Sequence, residues 1–235
     1  MHVRQSPLLL VLALTVGGVA ALSQAQTAPT LAGRVQFQRT TDSPPLDHTT
    51  VRVTLTPIGR PDGTPVTTAI NLDGTFALSA APGTYALRVV LPPAFNRWWT
   101  QSATMGNRDL LDERIEVSPD THLTGILLFF IERRPEVTGT LRTSAGTAVP
   151  DQTVIIFPVA EKLRESPRRI AWTKADAMGR YRFDDVPGGE YWIAIVDRFD
   201  PRDLGESIFF DVVAAFATRT TVSDLEHKRL DLTAK

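Results

Sequence analysis

The sequence predicts an all-β protein of two tandem antiparallel β-sandwiches, and three observations support this. After residue 25, short alternating apolar runs are separated by Gly, Pro, Asp and Asn, with no long 3.6-residue period. The phrase "DGTFALSAAPGTYALRVV", from Asp73, returns as "MGRYRFDDVPGGEYWIAIV", from Met178. The copies lie 105 to 106 positions apart, which is the size of one small β domain.

The N-terminal segment, residues 1–25, has the composition of a secretory signal peptide. Arg4 is followed by an apolar run over residues 8–22, and the small residues Ser23 and Ala25 mark a cleavage site. The alternative is an uncleaved anchor, but the run is shorter than the roughly 20 residues that span a bilayer. We therefore expect a periplasmic or secreted bacterial protein with no membrane span after cleavage.

Composition excludes several classes of function. The chain has no cysteine, so disulfides, thiolate zinc sites and cysteine nucleophiles are excluded. Its formal net charge of −1 gives no large field of either sign, and we expect no nucleic-acid partner.

The first copy contains a series of predicted strands. Alternation in "VRVTLTP" places Val51, Val53 and Leu55 on one face of a half-buried strand. "TGILLFFI" is continuously apolar, which predicts a strand buried on both faces. The remaining predicted strands of this copy are "LAGRVQF", "GTFAL", "TYALRVV" and "RIEVSP".

The second copy repeats that order, with one exception. Its predicted strands are "EVTGTL", "TVIIFP", "GRYRF" and "EYWIAIV". The segment "SIFFDVVAAFA", residues 207–217, instead predicts one short helix before a final strand pair, "TRTTVS" and "KRLDLT".

The register of the repeat holds from the first strand to the last. Matching positions are Gly33 and Gly139, Gly74 and Gly179, Phe76 and Tyr181, Tyr85 and Tyr191, and Val117 and Val222. The second copy has one extra residue, Gly189 or Glu190. Gly74 and Gly179 predict hairpin turns with positive φ. The Pro-Gly pairs ending at Gly83 and Gly188 predict type II turns.

At these residues the chain resembles the carboxypeptidase regulatory-like domain family. "VTGTLRTSAGTAVPDQTVIIFP" and "GRYRFDDVPGGEYWIAIVD" are similar to its motifs, with Met178 replacing the usual Asp, and the first copy is a weaker match. The resemblance covers nearly all of residues 30–235 and implies two transthyretin-like (Ig-like) sandwiches, over residues 26–133 and 134–235. The resemblance implies almost nothing about activity, because such modules accompany catalytic domains, anchor receptors or stand alone in exported proteins.

No pattern in the chain predicts a catalytic, cofactor or metal site. His48, His122 and His227 are not in metal-binding spacings, and the zinc-peptidase residues of true carboxypeptidases are missing. Carboxylates cluster in "DLLDE", from Asp109, and in "FDD", up to Asp185, as pairs commonly do in loops. We therefore predict a protein that is not an enzyme.

Aromatic residues are the candidates for ligand contact. Trp98 and Trp99 are adjacent, and neighbours in a strand point to opposite faces, so one is expected in the core and the other exposed or over an edge. Trp172 is a third candidate. The alternative is that these rings pack against the loop from Asn107 or against the other domain.

The favoured hypothesis is an exported binding or scaffold protein whose partner is another protein of the cell envelope, engaged through an unpaired edge strand. The short connection "FFIERRPEV" predicts a fixed orientation of the two domains. The alternative partner is a polysaccharide, held by the tryptophans. A transthyretin-like hydrolase is a third hypothesis, which would need a His/Arg cluster.

Overall fold

The computed structural model describes residues 29–39, 47–60, 62–224 and 226–234, and the predicted signal segment lies outside them. The described residues form two successive β-sandwiches, which confirms the predicted fold class. The first sandwich is built from residues 30–131 and the second from residues 136–233.

The first sandwich has nine strands in two sheets. One sheet has the order β4-β1-β9-β6-β7 and the other β3-β2-β5-β8. Two short 3-10 helices, His48–Thr50 and Pro93–Phe95, lie between strands. The strands are β1 (Thr30–Gln38), β2 (Arg52–Pro57), β3 (Val66–Ala69), β4 (Thr75–Ser79), β5 (Gly83–Val90), β6 (Trp99–Met105), β7 (Arg108–Asp109), β8 (Arg114–Val117) and β9 (His122–Ile131).

The second sandwich repeats this plan, except that a helix stands in the chain where the first sandwich has β6 and β7. Its sheets have the orders β12-β11-β14-β15 and β13-β10-β16, and β17 also pairs with β10. The strands are β10 (Glu136–Arg142), β11 (Thr153–Pro158), β12 (Ala171–Lys174), β13 (Arg180–Asp184), β14 (Gly189–Val196), β15 (Thr218–Val222), β16 (His227–Arg229) and β17 (Leu232–Thr233). The helices are α1 (Ser207–Ala214) and the 3-10 helices Glu161–Leu163, Pro167–Arg169 and Pro201–Gly205.

Each sandwich contains a parallel pair that alternation alone did not reveal, β1 with β9 and β10 with β16. The matching glycines lie at these pairings. A Cβ on Gly33 would lie 2.1 Å from the carbonyl oxygen of Ile126, and a Cβ on Gly139 would lie 1.8 Å from that of Leu230. Only glycine allows the two backbones to approach so closely.

The hydrophobic cores of the two sandwiches share no residue. Alternation is confirmed in β2, where Val53 and Leu55 are buried and Arg52 is exposed. All six residues of β11 are buried because α1 covers the outer face of its sheet through Phe210 and Val213. The prediction for β9 is only half right, since its outward side chains are half-buried.

The helix prediction over residues 207–217 is confirmed for Ser207–Ala214. The segments after it are strands as predicted, but they do not pair with each other. β15 joins β14, whereas β16 and β17 join β10 in the other sheet. In the described residues no helix is long and apolar enough to cross a bilayer.

The turns of the duplicated phrase agree only partly with the prediction. Gly74 and Gly179 have φ of 80° and 71°, as expected. The type II prediction is wrong, because Gly83 has φ of 159° and Gly188 is not at positive φ. The residue equivalent to Gly83 is Gly189, with φ of 155°. Gly83 and Gly189 are the first residues of β5 and β14, and an arginine side chain occupies the place next to each where a Cβ would project.

Candidate functional site

The adjacent tryptophans of the first sandwich are both buried, with 5% of Trp98 and 9% of Trp99 exposed. Trp98 precedes β6 and packs edge-on against Phe37, with ring centroids 5.3 Å apart. The expectation that one ring is exposed is therefore corrected. Its physical reason is that Trp98 lies in a turn after a 3-10 helix, where strand alternation does not apply.

Trp172 lies on an edge strand and is 44% exposed. Its strand, β12, pairs with β11 and ends that sheet. The Trp172 ring lies 5.1 Å from the ring of Phe199, which in turn lies 6.1 Å from Phe209 of α1. The outer edge of β12 has no strand partner among the described residues, and this aromatic row lies beside it.

The outer side of α1 is apolar as well. Ile208, Val212 and Phe216 are 69%, 59% and 53% exposed. Their spacing of four residues places them in one row along and just past the helix. We call this row, together with the aromatic row from Trp172 to Phe209, the apolar face. Clustered exposed apolar side chains of this kind mark sites of protein contact.

The junction between the sandwiches is short, and its residue Arg134 is hydrogen-bonded to both sandwiches. Residues 132–135 connect β9 to β10. Arg134 binds the carboxylate of Asp185 in the second sandwich through both Nε and Nη2, and its Nη1 donates to the carbonyl of Asn96 in the first. The hydrogen bonds that Arg134 donates to Asp185 raise the pKa of Arg134.

A second group of ion pairs crosses the same junction. Asp112, in the loop before β8, accepts hydrogen bonds from Arg168 Nε at 2.7 Å and Arg169 Nε at 2.8 Å. Ser166 Oγ donates to the same carboxylate at 2.8 Å, and Asp109 receives Arg168 Nη2 at 2.8 Å. We call these five residues the clamp.

The charges of the clamp are buried and matched. Only 4% of the Asp112 side chain is exposed. Burial alone would raise the pKa of Asp112, but the hydrogen bonds and charges of Arg168 and Arg169 outweigh it and lower the pKa to about 2. Burial raises the pKa of Tyr191, whose hydroxyl also receives Arg169. The Asp112 carboxylate is therefore ionised at neutral pH.

Sequence reasoning missed the clamp as a unit. The carboxylates of "DLLDE" and the adjacent Arg168 and Arg169 were both visible, but nothing in one sequence joins an acidic loop to a basic turn 56 positions away. Their opposite charge and their place in two matching copies were the available signal. In the described residues no group of three or more His, Asp and Glu side chains is arranged to hold a metal ion.

A groove of about 760 Å³ lies between the sandwiches, beside the clamp. Trp98 and Trp99 line it from the first sandwich, and Asp184 and Asp185 line it from the second. The structure thus brings the first two predicted tryptophans together with polar side chains, and it leaves Trp172 on the outer side of another sheet.

No protein-family model and no curated protein matches this sequence. Among solved structures, the Bacillus anthracis TIE protein is similar at 13% identity and a TM-score of 0.30, over 88% of this chain and 33% of that one. The shaft pilin SpaA of Lactobacillus rhamnosus GG is similar at 10% identity and a TM-score of 0.31, over 87% of this chain and 97% of that one. A streptococcal ancillary pilin is similar at 12% identity and a TM-score of 0.31, over 88% of this chain and 62% of that one. At these values the description of the fold rests on the strand pairing of this chain.

Proposed function

We propose that the chain is an exported, non-enzymatic scaffold that binds another protein of the cell envelope through the apolar face of its second sandwich. In this proposal residues 1–25 are removed on export to the periplasm or medium. Residues 26–133 and 134–235 are two carboxypeptidase regulatory-like domains. The separate hydrophobic cores and the duplicated strand order support that division.

The apolar face is the observation that carries the proposal. A helix of a globular protein usually buries one stripe and exposes polar side chains on the other. Here α1 buries Phe210 and Val213 and still exposes Ile208 and Val212. Because leaving such side chains in water is unfavourable by about 25 cal/mol per Å² of apolar surface, a partner that covers them gains affinity.

The edge strand β12 supplies a second binding element. Its outer edge has no strand partner among the described residues, so an extended segment of another protein can pair with it. Trp172 lies in this strand and would contact such a segment with its exposed ring. The clamp and the Arg134 pairs hold the two sandwiches together, so the partner meets a fixed surface.

A polysaccharide is the second candidate partner, favoured by the groove between the sandwiches. Tryptophan, carboxylate and arginine side chains lining one groove are suited to sugar ring faces and hydroxyls. The burial of Trp98 and Trp99 leaves little ring surface for stacking. A hydrolase would need its histidines gathered in one place, whereas His122 and His227 begin strands of different sandwiches.

Affinity capture from envelope extract tests the proposal, with residues 26–235 as bait. The test variant is Ile208→Ser with Val212→Ser, and the matched control is Leu72→Ser, since Leu72 is 87% exposed in the first sandwich. We expect one protein to be retained by the native chain and by the control and lost with the double variant. Equal retention by all three would refute the role of the face. Failure to retain any protein, with a tryptophan emission shift on adding a glycan, would favour the polysaccharide.

A further inference from the structure

Both sandwiches contain the same closed corner before their β5 or β14 strand. Tyr85 Oη donates to the carbonyl of Ala81 at 2.9 Å, and Tyr191 Oη donates to that of Pro187 at 2.7 Å. Each tyrosine thus bonds the backbone four residues upstream, which is the geometry of a tyrosine corner. The duplicated Pro-Gly…Tyr phrase builds this corner, with one extra residue before the tyrosine in the second copy.

An arginine lies over each corner and bonds the equivalent carbonyl. Arg60 Nη2 donates to Pro82 at 3.1 Å, and Arg169 Nη1 donates to Gly188 at 3.0 Å. Pro82 and Gly188 each precede the corner tyrosine by three positions. The arginines come from matching loops, Arg60 between β2 and β3 and Arg169 between β11 and β12.

The glycines of the two corners give the arginines their place. A Cβ on Gly83 would lie 3.3 Å from the guanidinium of Arg60, and a Cβ on Gly189 would lie 3.3 Å from that of Arg169. Each guanidinium therefore rests against bare backbone, with part of its fork of N–H groups directed away from the corner.

The second corner is filled by a carboxylate from another domain. Asp112 Oδ2 receives Arg169 Nε at 2.8 Å, and its loop belongs to the first sandwich. This corner is therefore a socket, in which an arginine held over a tyrosine corner binds an acidic side chain of a neighbouring module.

The first corner presents the same parts to solvent. Arg60 is exposed, and among the described residues no carboxylate lies within ion-pair distance of it. Its guanidinium donates a hydrogen bond to the carbonyl of Pro82. A guanidinium carries five N–H donors and matches a carboxylate with two parallel hydrogen bonds.

We infer that the first corner, made of Arg60, Pro82, Gly83 and Tyr85, is a docking socket for an Asp or Glu side chain on a loop of a partner protein. The inference rests on the proposed function, since it names a second place where a partner binds. The second sandwich shows the bound form of the same socket. Because no carboxylate of the described residues pairs with Arg60, its positive charge favours an acidic occupant.

The geometry favours a different protein over a second copy of this chain that docks through the matching loop. The acidic loop of the first sandwich is already buried in the clamp. Leu111 and Asp112 lie six and five positions before Val117, and the matching positions before Val222 are Phe216 and Ala217. A second copy therefore has no exposed carboxylate at the matching place.

The test uses NMR on the full chain with a defined probe, acetyl-Leu-Leu-Asp-amide, whose sequence is that of residues 110–112. We expect saturable shifts of the Arg60 Nε–Hε signal and the Gly83 amide at peptide concentrations up to about 10 mM in low salt. The Gly83 shift should be lost in Arg60→Gln and kept in Arg88→Gln, which alters another exposed arginine of the same sheet. The peptide ending in Asn should shift Gly83 several-fold less.

Two results would overturn the inference. One is no saturable shift at Gly83 up to that concentration, and the other is an equal shift with the Asn peptide or with Arg60→Gln. Arg60→Lys, which keeps the charge and loses the fork, should weaken the shift without abolishing it. These results do not depend on capture through the apolar face, so the inference and the proposed function fail separately.

Discussion

Replacing Asp112 with Asn tests whether the clamp makes the two sandwiches one unit. The change keeps the size of the side chain and removes the charge that Arg168 and Arg169 share. Removing one partner of a buried ion pair costs about 3 to 5 kcal/mol, because the remaining charge stays buried without compensation. We expect the lower end, about 3 kcal/mol, because Arg168 retains Asp109 at 2.8 Å and the two arginines are partly exposed.

Differential scanning calorimetry measures the result. The two sandwiches together make a cooperative unit of about 200 residues, in which a loss of 1 kcal/mol lowers Tm by about 2 to 4 °C. A loss of about 3 kcal/mol should therefore lower Tm by about 6 to 12 °C. The native chain should unfold in one transition and the variant in two, since the clamp crosses between the sandwiches. The matched control is Glu113→Gln, whose surface pair with Arg108 is worth about 0 to 1 kcal/mol.

The reasoning fails if Asp112→Asn and Glu113→Gln have the same Tm and the same number of transitions. A second readout separates loosening from unfolding. Because the chain has no cysteine, spin labels can be placed on cysteines introduced at the exposed positions Asp120 and Asp197. We expect a narrow distance distribution in the native chain and a broader one in the variant, and equal widths would contradict a rigid junction.

Three further predictions follow from burial and charge. The pKa of Asp112 in the folded chain, about 2, lies below its ordinary value of 3.8. The ionised carboxylate therefore stabilises the fold by about 2 kcal/mol above about pH 4, and this stabilisation is lost as the pH falls toward 2. On acid titration over that window, Asp112→Asn should lose less stability than the native chain. Gly139→Ala should prevent stable folding of the second sandwich, because its Cβ would lie 1.8 Å from the carbonyl oxygen of Leu230, and a native-like circular dichroism melt would contradict this. Phe210→Ala should cost about 3 to 5 kcal/mol in urea unfolding, whereas Phe216→Ala should cost less than about 0.5 kcal/mol, and equal costs would refute the two-faced description of α1.

The sandwich fold was predictable because the signals that define it are local. Alternation fixes which side of β2 is buried, and the matching glycines Gly33 and Gly139 mark where two backbones touch. The helix within residues 207–217 was predicted from its own segment, as the one exception to the repeat. The parallel pairing of β1 with β9 was not predictable, because these strands are distant in sequence and alternation reads the same in either direction.

The candidate sites were harder to predict, because they depend on contacts between distant segments. Trp98 and Trp99 read as a strand pair, but a 3-10 helix before β6 places Trp98 in a turn. The exposure of Ile208 and Val212 follows from how α1 lies on its sheet, which no periodicity specifies when both sides of a helix are apolar. The clamp unites an acidic loop and a basic turn that carry no motif.

The two corners differ in how much of their arginine the fold itself requires. Arg169 is largely buried, and a buried guanidinium without a carboxylate would destabilise the second sandwich by several kcal/mol. Burial of Arg169 therefore requires the carboxylate of Asp112. Arg60 is exposed, and its hydrogen bond to Pro82 contributes about 1 kcal/mol or less. Stability alone therefore gives little reason for an arginine over the first corner, whereas binding an acidic loop gives a specific one.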